Sequence, residues 1–367
     1  MKAKKDESRK RTPWDHFSTK TELQEFIIHK YVSTYDFKHP KISAANEASF
    51  VNLVQVKKCL VCSSEKIKKY GFTKNGIQRY YCKDHKGTFT VFTGTIFEDH
   101  KVSLSEWIEY LLDIFRHQSF ANTSKNNKNA YSTAKYWFKK LMIILEDYQN
   151  GIILKGKIYI DELYFVVEKS DIKRKPDGTA YKGLSRNQMC ISIAFDGTNM
   201  VAIYQRKGKP NQKRMRKALK GHIEPGSHII HDKEKSHKVL IKELNLTDEK
   251  YDSKELKKLD DKDNPLDPIN ERCRLLRRFL KAHDGFDRDE LQGYLDVFCF
   301  IMNPPSNRLE KVEKVLFWAL RCPKILRYRD YYGKNDWKWY IFSHFLDSVS
   351  NTVKIRVLRI RSTPMIL

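Results

Sequence analysis

The sequence lacks any long hydrophobic run. No stretch reaches the roughly 18 apolar residues that a membrane-spanning helix needs, so a membrane protein is not expected. The charged segment 1–11 is not followed by an apolar region, so a secretory signal is not expected either. There is no internal repeat and no Gly-x-Ser-x-Gly elbow, and nothing supports a nucleophilic serine, cysteine or histidine site.

Cysteine is scarce and scattered. The 367 residues contain 7 cysteines, an odd number in a long chain. This is typical of a reducing compartment, in which thiols stay reduced or bind metal, and it indicates a cytoplasmic protein. The cysteines are Cys59, Cys62, Cys82, Cys190, Cys273, Cys299 and Cys322.

Acidic residues are few relative to basic ones. There are 45 Asp and Glu against 70 Lys and Arg, which leaves a formal net charge of +25. Such an excess favours a polyanionic partner, because each cation placed on a phosphate releases condensed counterions. Nucleic acid is therefore the first expectation, although ribosomal and membrane-surface proteins can be similarly basic.

Helical periodicity is clear before Gly151. Apolar residues recur at helical spacing over 104–115 and again over 134–145. The segment 122–129 between them is rich in Asn and Lys and is predicted to be a polar turn.

After Gly151 the pattern becomes that of a sheet. Runs rich in β-branched and aromatic residues cover 157–168, 189–195 and 200–205, and the last two are predicted to form a hairpin. A short strand is predicted at 228–231. Helices are predicted at 235–244, 268–282, 288–302 and 306–321, with an acidic surface insertion at 247–266. This order is that of an RNase H-like core, so the fold class expected is α+β or α/β.

Two knuckles of matching spacing, Cys59-Leu-Val-Cys62 and Cys82-Lys-Asp-His85, lie before the first helix. A two-residue spacer on a turn lets four such ligands form the tetrahedron that zinc prefers. A closed four-ligand site of this kind is structural, and the aromatic residues between the knuckles suit the strands of a zinc ribbon. The alternative is three buried thiols and a surface His85.

Two acidic residues interrupt or end apolar strands. Asp161 follows Ile158-Tyr-Ile, with Glu162 on the opposite side of the strand, and Asp232 ends His228-Ile-Ile-His231. A carboxylate in so apolar a strand is costly unless it binds a metal or pairs with a base. Two carboxylates on neighbouring strands could hold Mg²⁺ or Mn²⁺ for phosphoryl transfer.

A third ligand is expected from the helix beginning near Asp267. With Asp267 as N-cap and Pro268 as the first helical residue, Asn270 is predicted at the third helical position. Arg277 lies seven residues later on the same face and could contact a phosphate. Glu271 is the competing third ligand, about 100° away around the helix. Asn270 could instead form only a helix-end hydrogen bond.

Three stretches resemble bacterial insertion-sequence transposases of the DDE superfamily, in the Merlin-related group with an N-terminal zinc ribbon. They are 87–107, the strand segment 160–164, and 269–277 with its continuation to 298. The resemblance spans roughly 55–303. This sequence departs from the family pattern at His85, Cys273 and Arg277, where the family usually has Cys, His or Trp, and Lys.

The resemblance implies a helix-turn-helix-like DNA-binding unit at 104–145. One face of that unit, with Trp107 and Trp137, is expected to pack, while Lys135, Lys139 and Lys140 stay exposed. The basic segment 206–220 is dense enough to line a DNA channel, although a solvated helix face is the alternative. Its candidate DNA-binding residues are Lys207, Lys209, Lys213, Arg214, Arg216 and Lys217.

The function expected from the resemblance is Mg²⁺-dependent DNA strand cleavage and strand transfer by an insertion-sequence transposase. The alternatives are an RNase H-like nuclease or resolvase, and a non-catalytic DNA-binding protein derived from a transposase. Double-stranded DNA and a second copy of the chain are the expected partners, without a membrane or small-molecule substrate, in the bacterial nucleoid. The expected divisions are a basic arm at 1–54, the ribbon at 55–97, the helical unit at 98–150, the catalytic domain at 151–303 and a basic helical extension at 304–367.

Overall fold

The computed structural model describes residues 26, 44–98, 104–183, 186–233, 235–256, 258–260, 263–283 and 286–332. These residues form two compact units, one within 104–318 and the other from 44–98 with 319–332. The basic arm expected at the start of the chain lies outside the described residues, apart from its last part. No described helix is long and apolar enough to cross a membrane.

The smaller unit begins with helix α1 and contains a three-stranded antiparallel sheet. Its elements are α1 (Ala44–Asn52), β1 (Ile67–Phe72), β2 (Gln78–Cys82) and β3 (Gly87–Phe89). Its small core includes Cys59, Cys82 and Phe89. The knuckles and the sheet are therefore one folded element.

The larger unit begins with α2 (Leu104–Phe115), α3 (Phe120–Asn126) and α4 (Tyr131–Ile144). The turn predicted over 122–129 is wrong for its first half, which belongs to α3. The reason is Ser119, whose hydroxyl accepts a hydrogen bond from the Asn122 backbone N–H at 3.2 Å and caps the helix. The indole rings of Trp107 and Trp137 stack with centroids 5.0 Å apart, so both are core residues, as predicted.

The prediction of an exposed lysine face on α4 is wrong for two of the three lysines. Lys139 forms an ion pair with Glu290 at 2.7 Å, and its side chain is only 11% exposed. Lys140 is 2% exposed, with its ammonium 4.7 Å from the centre of the Tyr136 ring. Lys135 is half-buried. The long aliphatic stems let these lysines pack where their charge suggested solvent.

Replacing Lys140 with Met should remove a pH dependence of stability. Burial lowers the pKa of Lys140 to about 7, well below its value in the unfolded chain. Between the two values the unfolded chain binds more protons, so the free energy of unfolding should rise by about 2 kcal/mol from pH 7 to pH 9. Urea unfolding at both pH values should therefore show a rise that is smaller by this amount in Lys140→Met than in the wild type and in Lys135→Met. Parallel curves for all three proteins would contradict the prediction.

A five-stranded mixed sheet forms the centre of the larger unit, in the order β6-β5-β4-β7-β8. The antiparallel strands are β4 (Lys157–Val166), β5 (Gln188–Phe195) and β6 (Met200–Lys207). After helix α5 (Gln212–Leu219), β7 (His228–Asp232) pairs in parallel with β4. The predicted strands and the β5–β6 hairpin are confirmed, and the order is that expected for an RNase H-like core.

The last strand was not predicted. Residues 247–251, expected within a surface insertion, form β8 (Thr247–Tyr251), which follows α6 (Lys238–Glu243) and pairs in parallel with β7. Its alternating polar sequence suits an edge strand, because charges there discourage pairing with another chain. A polar edge strand thus resembles a loop in sequence.

Helices cover both faces of the sheet. Ile158 and Ile160 of β4 pack on one face against Leu219 of α5 and Leu240 of α6. The remaining helices are α7 (Ser253–Leu256), α8 (Asp267–Ala282), α9 (Leu291–Met302), α10 (Arg308–Arg321) and α11 (Tyr328–Tyr332). On the other face of the sheet α8 packs on β4 and β5, and α9 packs on β6.

Candidate functional site

Asp161, in the middle of β4, and Asp232, at the carboxyl end of β7, lie at neighbouring positions of two adjacent strands. The parallel register pairs Ile160 of β4 with His231 of β7, so the next residue on each strand is an aspartate. Residues at matching positions of parallel strands point to the same face of the sheet. Both aspartates are half-buried. The structure therefore brings together the two carboxylates that the sequence singled out.

Two neighbouring acidic residues act on the Asp161 carboxyl group. Burial raises the pKa of Asp161 to about 6, and the negative charges of Glu162 and Asp232 raise it too, against the hydrogen bond from the Glu162 backbone N–H. That backbone N–H lies 2.8 Å from Asp161 Oδ1. Negative charges beside a partly desolvated carboxylate favour a bound cation. Oxygen donors of this kind fit Mg²⁺ or Mn²⁺.

Helix α8 lies directly over Asp161. Its buried stripe contains Ile269, Cys273 and Leu276, and Cys273 Sγ donates to Asp161 Oδ2 at 3.6 Å. Cys273 is thus the α8 residue in contact with the carboxylate, at the position where the resembled family has His or Trp. Nothing in the sequence predicted that a thiol contacts Asp161.

The contact at Cys273 fixes the orientation of α8. At about 100° per residue, Asn270 lies about 60° from Cys273 and Arg277 about 40°, both in the same direction around the helix. Glu271 lies about 160° away, on the far side. All three side chains are exposed. The face of α8 next to the aspartates is therefore the one that carries Asn270 and Arg277.

The predicted start of α8 is wrong by one residue. Leu266 is the N-cap and Asp267 is already helical, so Asn270 is the fourth helical residue. The cause is Asn264, whose side chain accepts a hydrogen bond from the Leu266 N–H at 2.9 Å and whose carbonyl accepts one from Asp267 N–H. This Asn turn begins the helix before Asp267 can cap it.

A buried hydrogen-bonded chain lies on the opposite face of β4 and β7, which the sequence did not reveal. Glu162 Oε1 is 3.1 Å from His237 Nε2, and His237 Nδ1 is 2.8 Å from His231 Nδ1. His231 Nε2 in turn is 3.4 Å from Asp248 Oδ2. His231, Asp232 and His237 also have potential ligand atoms within 4.8 Å of one another. This hydrogen-bonded chain occupies all four nitrogens of the two imidazole rings. It therefore links β4, β7 and β8 beneath the aspartates.

The basic segment 206–220 is partly neutralised inside the protein. Lys207 pairs with Asp171 at 2.6 Å, and Lys220 and Arg216 both pair with Glu243. The Arg214 guanidinium donates to the carbonyls of Lys207 and Lys209 at 3.4 and 3.3 Å. Lys213 and Lys217 on α5 are exposed and form no ion pair with a described residue.

The four knuckle residues of the smaller unit converge. Cys59, Cys62, Cys82 and His85 offer ligand atoms that all lie within 4.8 Å of one another. Cys59 Sγ lies 3.2 Å from His85 Nδ1, and Cys62 Sγ lies 3.6 Å from Cys82 Sγ. Burial opposes ionisation of Cys82, but hydrogen bonds from backbone N–H groups of His85 and Asp84 outweigh it and lower its pKa to about 6. Three thiols and one imidazole at this spacing fit zinc.

The backbone conformation around the knuckles positions these ligands. The residue after each second ligand, Ser63 or Lys86, has a left-handed φ of 59° or 54°. That conformation turns each knuckle back toward the sheet. Gly87 is required for a different reason, because a Cβ there would collide with the His85 ring.

Replacing Cys59 with Ser should abolish zinc binding. Purified wild-type chain should carry about one zinc per chain, and loss of one ligand should release the metal and unfold the ribbon. Elemental analysis and the circular dichroism of the protein measure the two effects. Cys322→Ser, which removes a thiol outside the cluster, should keep the metal. Equal zinc content in the two variants would sink the assignment.

No protein-family model and no curated protein sequence matches the chain. Among solved structures, the simian T-cell lymphotropic virus intasome in complex with PP2A regulatory subunit B56 gamma is similar over 54% of this chain and 67% of that chain, at 12% identity and a TM-score of 0.27. A pre-cleavage Mos1 transpososome is similar over 59% and 76%, at 10% identity and a TM-score of 0.24. The Mos1 transposase paired-end complex with left transposon end is similar over 84% and 100%, at 10% identity and a TM-score of 0.23. Identities and TM-scores this low do not identify the function of this chain.

Proposed function

We propose that this chain is a DDE-type transposase that cuts DNA at the ends of an insertion sequence and joins those ends to target DNA. The observation that supports it most is the pairing of Asp161 and Asp232 on adjacent parallel strands under α8. The net charge of +25 suits a DNA partner. The zinc ribbon, and Asn270 with Arg277 seven residues later, favour the Merlin-related group.

Asp161, Asp232 and Asn270 are the residues that would hold Mg²⁺ or Mn²⁺. Bound Mg²⁺ supplies positive charge that stabilises the oxygens between which a phosphoryl group moves. An amide oxygen in place of a third carboxylate leaves the site about one negative charge short. Cation binding should therefore depend more on the phosphates of bound DNA.

The proposed reaction has two steps at the DNA. Water first attacks a phosphorus at the end of the element, a P–O bond breaks, and a 3′-hydroxyl and a 5′-phosphate are left. That 3′-hydroxyl then attacks a target phosphorus and displaces the target 3′-oxygen, so one phosphodiester forms as one breaks. Asp161 and Asp232 line the place where the phosphorus would lie, and Arg277 would hold its non-bridging oxygens.

Two further roles follow for the rest of the chain. Helices α2, α3 and α4 would form the helix-turn-helix-like unit that binds the end DNA, with Lys213 and Lys217 of α5 along the DNA path. Two ends must be brought together for joining, so we propose a homo-oligomer acting in the bacterial nucleoid.

The test is a transposition assay. A marker is flanked by the DNA that borders this gene, the chain is supplied separately, and excision and insertion are scored. We expect inserted markers with a short target duplication at each junction. Pre-cut ends offered to the purified chain separate the rivals: a nuclease cuts without joining, and a derived DNA-binding protein gives no Mg²⁺-dependent product. Either result would overturn the proposed function.

A further inference from the structure

A cavity of about 300 Å³ opens in the larger unit, between the end of α2 and the α9–α10 connection. Its lining residues are Phe115, Arg116, His117, Ile301, Met302, Ser306, Arg308 and Lys311. Three of them, Arg116, Arg308 and Lys311, are cations, and none is acidic. A concave surface with one sign of charge concentrates the opposite charge from solution, so the ligand class here is anionic.

The charges of this cavity belong to two kinds of residue. Lys311 is buried and donates from Nζ to the carbonyls of Phe300, Ile301 and Asn303 at 2.7, 2.5 and 2.5 Å, so it caps the end of α9. Arg116 and Arg308, by contrast, are exposed and form no ion pair or side-chain hydrogen bond with a described residue. Their guanidinium groups remain available for an anion.

A third arginine lies beside them. The half-buried ring of His117 has a lowered pKa, chiefly from burial, and the positive charges of Arg278 on α8 and of Arg308 lower it further. Arg278 is exposed and likewise has no ion pair in the described part of the chain. Arg116 and Arg308 line the cavity beside His117, and Arg278 precedes Phe279, whose ring packs on His117.

The packing of His117 fixes this arrangement before any ligand arrives. Its backbone has a left-handed φ of 59°, and its N–H donates to the Ile114 carbonyl at 2.9 Å. Its ring lies against Phe279 of α8 and Phe298 of α9, with centroids 5.6 and 5.9 Å away. The position of Arg116, the preceding residue at the end of α2, is fixed by these contacts of His117.

Helix α8 connects this surface to the candidate active site. Arg278 lies eight residues, or about 12 Å along the helix, beyond Asn270 and about 80° from it around the helix, on the exposed side of α8 that also carries Glu271. A duplex whose scissile phosphate lies at Asp161 and Asp232 would extend over that distance within a few base pairs. A continuous phosphate backbone, rather than a small anion, is the ligand that spans both places.

We propose that Arg116, Arg278 and Arg308 form a second phosphate-binding surface for the duplex held at the active site. The three arginines contact backbone phosphates and thus position the DNA without reading its sequence. This inference rests on the proposed function, and it assigns a role to residues outside the basic segment 206–220 and outside the knuckles.

The test compares the salt dependence of DNA binding. In Arg278→Gln with Arg308→Gln, the slope of log affinity against log salt should become shallower by about 2, because about 0.9 is lost for each phosphate contact removed. The control removes two exposed charges at the amino-terminal end of β4, with Lys155→Gln and Lys157→Gln, and should keep the wild-type slope. Fluorescence anisotropy of a labelled duplex measures the binding.

The outcomes separate this surface from the proposed function. A slope in the arginine variant equal to that of the control, with wild-type protein that cuts DNA, would refute the surface and leave the function standing. Wild-type protein that neither binds nor cuts DNA would refute both. Arg278→Lys with Arg308→Lys, which keeps the charges, should restore the slope, whereas a slope still shallow there would show that charge is not the cause.

Discussion

Replacing Asp161 with Asn should abolish strand cleavage and, at the same time, stabilise the metal-free protein. Loss of a carboxylate that holds the catalytic cation should cost on the order of a thousand-fold or more in cleavage rate. The same carboxylate is held in a partly desolvated place next to other negative charges, which raise its pKa to about 6 from the usual 3.8. A gap of about two pKa units corresponds to about 3 kcal/mol, and partial exposure of the side chain reduces this to about 2 kcal/mol.

The sign of the stability effect determines how it is measured. Between pH 3.8 and pH 6 the folded state binds more protons at Asp161 than the unfolded chain does. The free energy of unfolding therefore falls as the pH rises through this range, and the full penalty is present at pH 7. Asp161→Asn should thus be more stable than the wild type at pH 7, and the two should be nearly equal at pH 4.

Urea unfolding in chelator, with cleavage of the identified end DNA, checks both halves of this prediction. Asp171→Asn is the matched control, because the side-chain hydrogen bond from Lys207 lowers the pKa of Asp171. Its loss should destabilise the protein slightly at pH 7 and leave cleavage in place. Persistent cleavage by Asp161→Asn, or a loss of stability at pH 7, would show that Asp161 is an ordinary buried acid. Asp232→Asn should likewise lose cleavage.

Much of the sheet could be predicted because its apolar segments can be interpreted only as strands. The runs at β4, β5 and β6 are rich in Ile, Met and Tyr with turn residues between them, and their bounds agree with the structure within about two residues. β8 could not be predicted, because an edge strand needs no apolar face and Thr247–Tyr251 has none. The burial of Lys140 depends on packing around Tyr136, which no periodicity encodes.

At the candidate site, too, some features could be predicted from the sequence and others depend on tertiary packing. The two aspartates could be found from the cost of placing an acid at an apolar strand, which is a local property of the sequence. The contact between Cys273 and Asp161 joins residues 112 positions apart and depends on how α8 lies across the sheet. The chain from Glu162 through His237 and His231 depends on β7 lying beside β4, and each residue alone looks like a surface or core side chain.

The orientation of α8 leads to a prediction that discriminates between its two candidate third ligands. Replacing Asn270 with Ala should slow strand cleavage by about 100-fold, because it removes an oxygen that orients the cation, whereas Glu271→Ala should change the rate less than about threefold. The two residues are neighbours on one exposed helix turn, so each serves as the control for the other. The reverse ranking would mean that α8 turns its other face to the aspartates when DNA is bound.

Asn270→Asp tests the same ligand by adding a charge, and its effect is measured as metal affinity instead of turnover. Adding a third carboxylate beside Asp161 and Asp232 should strengthen Mn²⁺ binding in the absence of DNA by about tenfold or more, because the site gains the charge that DNA phosphates otherwise contribute. Titration of Mn²⁺ followed by electron paramagnetic resonance measures this affinity. Glu271→Gln, which removes a charge on the far side of the helix, should leave it unchanged. If Asn270→Asp left Mn²⁺ affinity at the wild-type value while Glu271→Gln weakened it, the third ligand would be Glu271. The seven-residue spacing between Asn270 and Arg277 would then not reflect a shared role at the metal site.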